Sequence, residues 1–168
     1  TLTYSPLPGW QGQCEAGEDF RTTYCNNKLI GARYYQDGFL EQYDLDPNEF
    51  ISPRDADGHG THIATTAAGN SVQATLAGTP VAKISGMAPR ARIAVYKACW
   101  LEPGAARGTC STADLARAIE DAVADGVDII NYSVGSDDGI DDADDLALLA
   151  AAEAGVLTVA AAGNEGPV

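Results

Sequence analysis

The second half of the chain alternates between apolar segments and helix-forming segments, and this alternation limits the fold more than any other feature. Residues 91–98, 127–134 and 156–162 are rich in β-branched and small apolar side chains, which predicts three buried strands. Helices are predicted between them, over residues 111–125 and 142–154. Strands that are apolar on both faces and alternate with helices form parallel β–α–β units, with helices on both sides of the sheet. We therefore predict an α/β fold with a mostly parallel sheet and three layers.

The helix over residues 111–125 has the clearest pattern. Its apolar residues recur at the spacing of one helical face: Leu115, Ala118, Ile119, Ala122 and Val123. Ser111 followed by Asp114 resembles a capping box, and Gly126 is the expected end of the helix. We expect this face to be buried.

The first half of the chain has fewer regular elements. Residues 1–57 are rich in Gly, Pro, Asp, Asn and aromatic residues, and the segment 28–35 is the one strand predicted there. A helix is predicted from residue 59 to about residue 68. Residues 70–82 are predicted to be a loop, and residues 86–89 a turn.

The charge of the chain argues against a nucleic-acid partner. It has 10 Lys and Arg against 24 Asp and Glu, a net charge of −14, with no basic patch to bind phosphates. The most apolar stretch, residues 146–163, contains Glu153 and Gly155, so a helix followed by a buried strand explains it better than a membrane span. No signal peptide is recognised at Thr1, as would hold for a mature form or a fragment.

Four cysteines form two local pairs of equal spacing. An even number of cysteines without a Cys-x-x-Cys motif favours disulfides over metal ligands, and buried free thiols are the alternative. We predict the bonds Cys14–Cys25 and Cys99–Cys110. Such bonds place the protein in an oxidising, extracellular compartment.

Two segments carry side chains suited to acyl transfer. Residues 55–64, Asp-Ala-Asp-Gly-His-Gly-Thr-His-Ile-Ala, resemble the histidine segment of the subtilisin-like serine proteases, the subtilases. Residues 160–166, Ala-Ala-Ala-Gly-Asn-Glu-Gly, resemble the segment that carries their oxyanion-hole asparagine. The resemblance implies that His59 is the general base, that His62 is structural and that Asn164 donates a hydrogen bond to the oxyanion.

The same resemblance implies a substrate-binding wall. In subtilases the backbone matching Ser133, Val134 and Gly135 lines the pocket for the substrate side chain and pairs with the substrate strand. Ser133 is not a nucleophile candidate, because it lacks a Gly-x-Ser-x-Gly turn. The small residues before Asn164 complete the implied binding surface: Ala161, Ala162 and Gly163.

Further segments resemble the cucumisin-like, plant-type branch of the subtilases. They are residues 9–14, 25–33, 86–89, 95–100 and 125–128, and both predicted disulfides match this branch. The resemblance implies a subtilisin-like three-layer fold. It also implies a catalytic aspartate before Thr1 and a nucleophilic serine after Val168. We therefore interpret residues 1–168 as the central part of a secreted peptidase domain, inactive alone, whose partners are the remainder of that domain and a protein or peptide substrate.

Two other functions fit the sequence less well. A metal site on His59 and His62 with Asp55 or Asp57 is disfavoured, because the Glu of the His-Glu-x-x-His motif is missing. We predict no metal or cofactor, although calcium binding stays open without a complete ligand set. A non-catalytic module that binds peptides in the protease groove is the main alternative.

The acidic segment over residues 137–145 is interpreted as a solvated cap of the following helix. We hypothesise in addition that its charge biases the nearby groove towards basic peptides.

Overall fold

The computed structural model describes residues 3–135, 141–164 and 166. Its described strands are β1 (Leu29–Tyr34), β2 (Val72–Leu76), β3 (Thr79–Ile84), β4 (Ile93–Lys97), β5 (Cys99–Trp100), β6 (Thr109–Cys110), β7 (Ile129–Tyr132) and β8 (Leu157–Ala160). Its described helices are α1 (Asp37–Leu40), α2 (His59–Ala68), α3 (Thr112–Asp125) and α4 (Ala143–Glu153), with one 3₁₀ turn at Thr22–Tyr24. The predicted alternation of strands and helices in the second half is confirmed.

The described strands pair two by two. The pairs β1–β4 and β7–β8 are parallel, as the β–α–β pattern predicts. The pairs β2–β3 and β5–β6 are antiparallel. Over the described residues the strands thus form four two-stranded sheets. The mixture of helices and parallel strand pairs fits the α/β class. A single, mostly parallel sheet with helices on both faces stays a prediction.

Helix α3 organises the core. Leu115 and Ala118 pack with Ala98, which follows β4. One turn along the same face, Ile119 packs with Ala151 of α4 and with Val156, which precedes β8. The predicted apolar face of α3 is therefore confirmed, and it joins both parallel pairs of strands to one helix.

The predicted capping box of α3 is wrong. Ser111 precedes the helix but makes no side-chain capping hydrogen bond. The carboxylate of Asp114 instead accepts hydrogen bonds from the backbone N–H of Gly38 (3.0 Å) and of Phe39 (2.8 Å). Asp114 thus binds the first amides of α1, a neighbour that the local sequence pattern does not reveal.

The predicted loop over residues 70–82 is also wrong, because most of it forms the β2–β3 hairpin. The two strands are joined by Ala77 and Gly78, which both have positive φ, as a two-residue type I′ hairpin turn requires. Nearly every residue of the hairpin is exposed, so no buried apolar face marks it in the sequence.

Both predicted disulfides, Cys14–Cys25 and Cys99–Cys110, are present. Cys99 and Cys110 face each other across β5 and β6 and close the loop between them. The backbone of Cys14 forms a parallel β-bridge with Ala32 of β1, which attaches the N-terminal segment to the parallel pair, and the disulfide joins this segment to Cys25.

Residues 146–163 divide between α4 and β8, as expected from their sequence. Gly155, with φ of 90°, lies between the two elements in a conformation that glycine adopts without strain. In the part of the chain that the structure describes, no helix has both the length and the apolar character needed to cross a bilayer.

The core assignment predicts unequal effects for two valine substitutions. Val156 is 8% exposed within the core of α3 and α4, whereas Val81 of β3 is 59% exposed. We expect Val156→Ala to lower the free energy of unfolding by about 1.5–3 kcal/mol and Val81→Ala to change it by less than about 0.5 kcal/mol. Urea unfolding followed by circular dichroism measures both. Equal losses would contradict the assignment of this core.

Candidate functional site

His59 is the first residue of α2 and lies exposed at the helix N-terminus. The preceding residue, Gly58, has φ of 93°, a left-handed conformation that turns the chain into the helix. Gly58 has no side chain to cap the first amides, and Asp55 does so instead. Its Oδ1 accepts from the N–H of Gly58 (2.8 Å), and its Oδ2 accepts from the N–H (2.8 Å) and hydroxyl (2.7 Å) of Thr61.

The contacts of Asp55 act on its ionisation. Partial burial alone would raise its pKa, but the hydrogen bonds from Thr61 and Gly58, together with the charge of Lys97, outweigh burial and lower the pKa below the ordinary 3.8. The carboxylate at the start of α2 is therefore ionised at neutral pH, where it also complements the helix dipole.

The other end of α2 is held by the turn at residues 86–89. Backbone N–H groups of Gly86, Met87 and Ala88 donate to carbonyl oxygens of the last helical turn and its cap, at 2.8–2.9 Å. A Cβ atom at Gly86 would lie 2.4 Å from the backbone nitrogen of Gly69, so this close approach requires glycine. Helix α2 is thus attached by hydrogen bonds at both ends.

His62 follows one turn after His59 and is also exposed. Its carbonyl oxygen accepts from the hydroxyl groups of Thr65 (3.1 Å) and Thr66 (2.8 Å). Within the described ranges, no group of three or more His, Cys, Asp or Glu side chains is arranged to hold a metal ion.

The predicted substrate-binding segments lie side by side after β7 and β8. The N–H of Ala161 donates to the carbonyl oxygen of Tyr132 (2.9 Å), which continues the parallel pairing of the two strands. Further on, a Cβ atom at Gly135 would lie 3.1 Å from the Cα atom of Gly163. Two glycines therefore allow the ends of these segments to approach closely.

The side chains near this approach differ in exposure. Ser133 and Val134 are half-buried, and the amide nitrogen of Asn131 donates to the hydroxyl of Ser133 (2.9 Å). Ala161, Ala162 and Asn164 are exposed. The residues after β8 are thus more exposed than Ser133 and Val134 after β7.

The ends of β4 and β7 share one part of the core. Tyr132 and Val134 pack against the cluster that contains Ala98, directly after β4. The carboxyl ends of parallel strands are where active sites of α/β sheets lie. The convergence of His59 and Asn164 on one cleft stays a prediction.

The acidic segment differs in part from its prediction. Residues 137–140 lie outside the described residues. Asp144 is buried and accepts a hydrogen bond from the hydroxyl of Tyr132, so this acid is not simply a solvated cap. Burial raises the pKa of Tyr132, and the hydrogen bond to Asp144 raises it further.

Lys97 is a residue that the sequence analysis missed. It is the last residue of β4, and its ammonium donates to Glu49 Oε1 (2.8 Å), to the carbonyl oxygen of Phe50 (3.2 Å) and to that of Arg54 (2.7 Å). Desolvation lowers the pKa of Lys97, while Glu49 and Asp55 oppose that effect. The signal was present in the sequence, since a lysine within an apolar strand is buried only when it is paired.

The sequence matches the Subtilase family over residues 21–167, which is most of the chain. The chain belongs to the subtilase family. The matched residues include the histidine segment, Cys99 and Cys110 of the second disulfide, and the segments that follow β7 and β8.

The relatives of this subtilase chain include subtilisin-like proteases of the plant Arabidopsis thaliana. It is 46% identical to subtilisin-like protease SBT3.13 over 178 residues, a match that covers 96% of this chain and 23% of the relative. Its identity is 42% to SBT3.3 (96% and 22% covered) and 44% to SBT1.7 (98% and 22% covered). The resemblance to the plant-type branch is confirmed, and the chain spans less than a quarter of the length of these relatives.

The role of Asp55 in this subtilase predicts a pH-dependent effect of Asp55→Asn. We expect the variant to lose about 0.5–2 kcal/mol of unfolding free energy at neutral pH, the range of helix caps. Because folding lowers the pKa of Asp55 below 3.8, its stabilisation is complete above that value and disappears as the pH falls through the folded pKa.

Urea unfolding of parent and variant from about pH 7 down to about pH 3 measures this difference. Asp128→Asn, at an exposed aspartate, is the matched control and should show little change at any pH. A loss for Asp55→Asn that stays constant down to the acid end would contradict the proposed role of the carboxylate.

Proposed function

We propose that the protein containing this chain is a serine endopeptidase of the subtilisin type, and that residues 1–168 form the central part of its peptidase domain. The observation that carries this proposal is the exposed His59 at the start of a helix held at both ends, in a chain 46% identical to a plant subtilisin-like protease. In this proposal the triad aspartate and the nucleophilic serine belong to other parts of the same protein.

His59 is the general base in this mechanism. Its imidazole takes the proton from the serine hydroxyl as the serine attacks the scissile carbonyl, and returns it to the leaving amine. The amide of Asn164 donates a hydrogen bond to the oxyanion of the tetrahedral intermediate. Both side chains lie exposed on the described chain, as groups that meet a substrate must.

The segments after β7 and β8 bind the peptide. An extended substrate pairs with the backbone of Ser133, Val134 and Gly135, which aligns its scissile bond through main-chain hydrogen bonds. Ala161, Ala162 and Gly163 form the neighbouring wall. The contact of Gly135 with Gly163 supports this assignment, because it puts both segments at one place.

The remainder of the peptidase domain covers the outer face of β7 and β8. Three apolar side chains of these strands are 50–59% exposed: Ile129, Leu157 and Val159. Their alternate neighbours Ile130 and Tyr132 face the core around α3. A strand pair that is apolar on both faces is typical of the interior of a parallel sheet, which supports a continuous sheet with helices on both sides.

We place the whole protein outside the cell. The two disulfides among the described residues are the support, since such bonds persist in oxidising compartments. They also restrict the unfolded chain, which is useful for a protein exposed to proteolysis.

The function is tested in the full-length protein with a fluorophosphonate probe and a peptide substrate. We expect the probe to label the protein, and His59→Ala to abolish both labelling and hydrolysis. Asn164→Ala should lower kcat by about 10²–10³-fold with little change in KM, because the oxyanion contact forms only in the transition state. Asn70→Ala, at an exposed asparagine that bonds Tyr4, is the matched control and should retain full activity.

Two outcomes would overturn the proposal. Peptide binding by a folded wild-type protein without labelling or hydrolysis would establish the non-catalytic module instead. Full activity of His59→Ala would remove this residue from the mechanism.

A further inference from the structure

All three hydrogen bonds of the Lys97 ammonium go to one short segment of chain. The acceptors belong to Glu49, Phe50 and Arg54, and the segment ends five residues before His59. An ammonium group has three donors, so these bonds use its full capacity. Lys97 therefore binds the residues that lead into the histidine segment and not a scattered set of partners.

The Lys97 ammonium is largely enclosed, and its neighbours are themselves paired. Its side chain is 12% exposed and that of Glu49 is 2% exposed. The second carboxylate oxygen of Glu49 accepts from the N–H of Leu101 (3.0 Å). The ammonium lies 4.0 Å from the ring centre of the buried Trp100, whose indole N–H donates to the carbonyl oxygen of Tyr35 (2.7 Å).

A short covalent path leads from this pocket to the imidazole. Arg54, whose carbonyl accepts from Lys97, directly precedes Asp55, and Asp55 binds the first amides of α2. On the other side, Asp57 accepts from the N–H of Gly108 (3.0 Å) in the loop closed by the second disulfide. The start of α2 is thus held between the end of β4 and the β5–β6 loop.

Among the described residues, Ala68 is the one buried residue of α2, so apolar packing within this part of the protein does little to orient the helix. Its N-terminal end depends on the polar contacts that surround the preceding loop.

We propose that Lys97 is a positioning residue for His59, which ties the loop of residues 49–54 to the end of β4 and so sets where α2 presents the imidazole. This inference rests on the proposed function of His59. A buried ion pair adds little net stability compared with apolar side chains of similar size, so stability alone does not account for Lys97 at this position. Geometry does, because small displacements of a general base reduce catalysis strongly.

The experiment uses the full-length protein with two substitutions of Lys97, one of Glu49 and one control. Lys97→Met keeps the apolar stem and removes the ammonium. Lys97→Arg restores the charge with a different geometry. Lys83→Met, on the exposed hairpin, is the matched control. A fluorophosphonate titration counts the competent sites, and kcat is expressed per titrated site.

We expect Lys97→Met to lower kcat per site by about 10–100-fold, with KM changed by less than about 2-fold. Lys97→Arg should recover part of that loss, because a planar guanidinium cannot reproduce all three bonds. Lys83→Met should leave kcat and KM unchanged. Glu49→Gln keeps the shape of the side chain that pairs with Lys97, and it should also lower kcat per site. This variant tests the inference if Lys97→Met does not fold.

A purely structural role for Lys97 gives a different result. It would reduce the number of titrated sites and leave kcat per site unchanged, and this would overturn the inference. The failure of the proposed function is recognised separately, because the wild-type protein would then show no labelling or hydrolysis, or His59→Ala would retain activity. Loss of activity in His59→Ala, together with normal kcat per site in Lys97→Met and Glu49→Gln, would reject the positioning role alone.

Discussion

Within the described part of the chain, α2 is held mainly by hydrogen bonds at its ends, because one of its residues is buried there. Asp55 binds the first amides, and the turn at residues 86–89 binds the last carbonyl groups. Apolar packing tolerates small shifts of a helix, whereas hydrogen bonds have narrow distance and angle requirements. A helix held in this way presents its first side chain in a defined place and leaves it open to solvent. A defined place is what the general base of the proposed function requires.

The proposed substrate-binding region depends on a different interaction, the burial of the apolar face of α3. This helix packs against residues that follow β4 and precede β8, and Tyr132 of β7 contacts both core clusters. The carboxyl ends of the parallel strands are brought together as a result. Gly135 and Gly163 then permit the closest approach of the two segments that follow. Packing therefore positions the segments proposed to bind substrate, and polar contacts position the residue proposed as the base.

The sequence predicted those features that depend on local pattern. Helices α2, α3 and α4, the parallel strands and both disulfides were found from local pattern and spacing, and the histidine and asparagine segments from their resemblance to subtilases. The short helix α1 was not predicted. Local patterns did not reveal hydrogen bonds between residues distant in the chain, nor strands without a buried apolar face. Asp114 binds the amides of α1 rather than those of its own helix, and the exposed β2–β3 hairpin lacks the apolar face that would reveal it. Lys97 was missed because its acceptors lie more than forty residues earlier in the chain.

The β1–β4 pair explains how one small sheet holds two different elements. Neighbouring residues of a strand point to opposite faces, and Tyr96 and Lys97 of β4 use this alternation. Tyr96 donates to Asp125 of α3 (2.7 Å), beside Arg33, its register partner on β1, which pairs with the same carboxylate at 3.5 Å. Lys97 bonds instead to the segment that leads to His59. Because Tyr96 and Lys97 are adjacent residues of β4, the sheet fixes α3 and the histidine segment relative to each other. A shift in the register of β4 would therefore disturb the contacts of both.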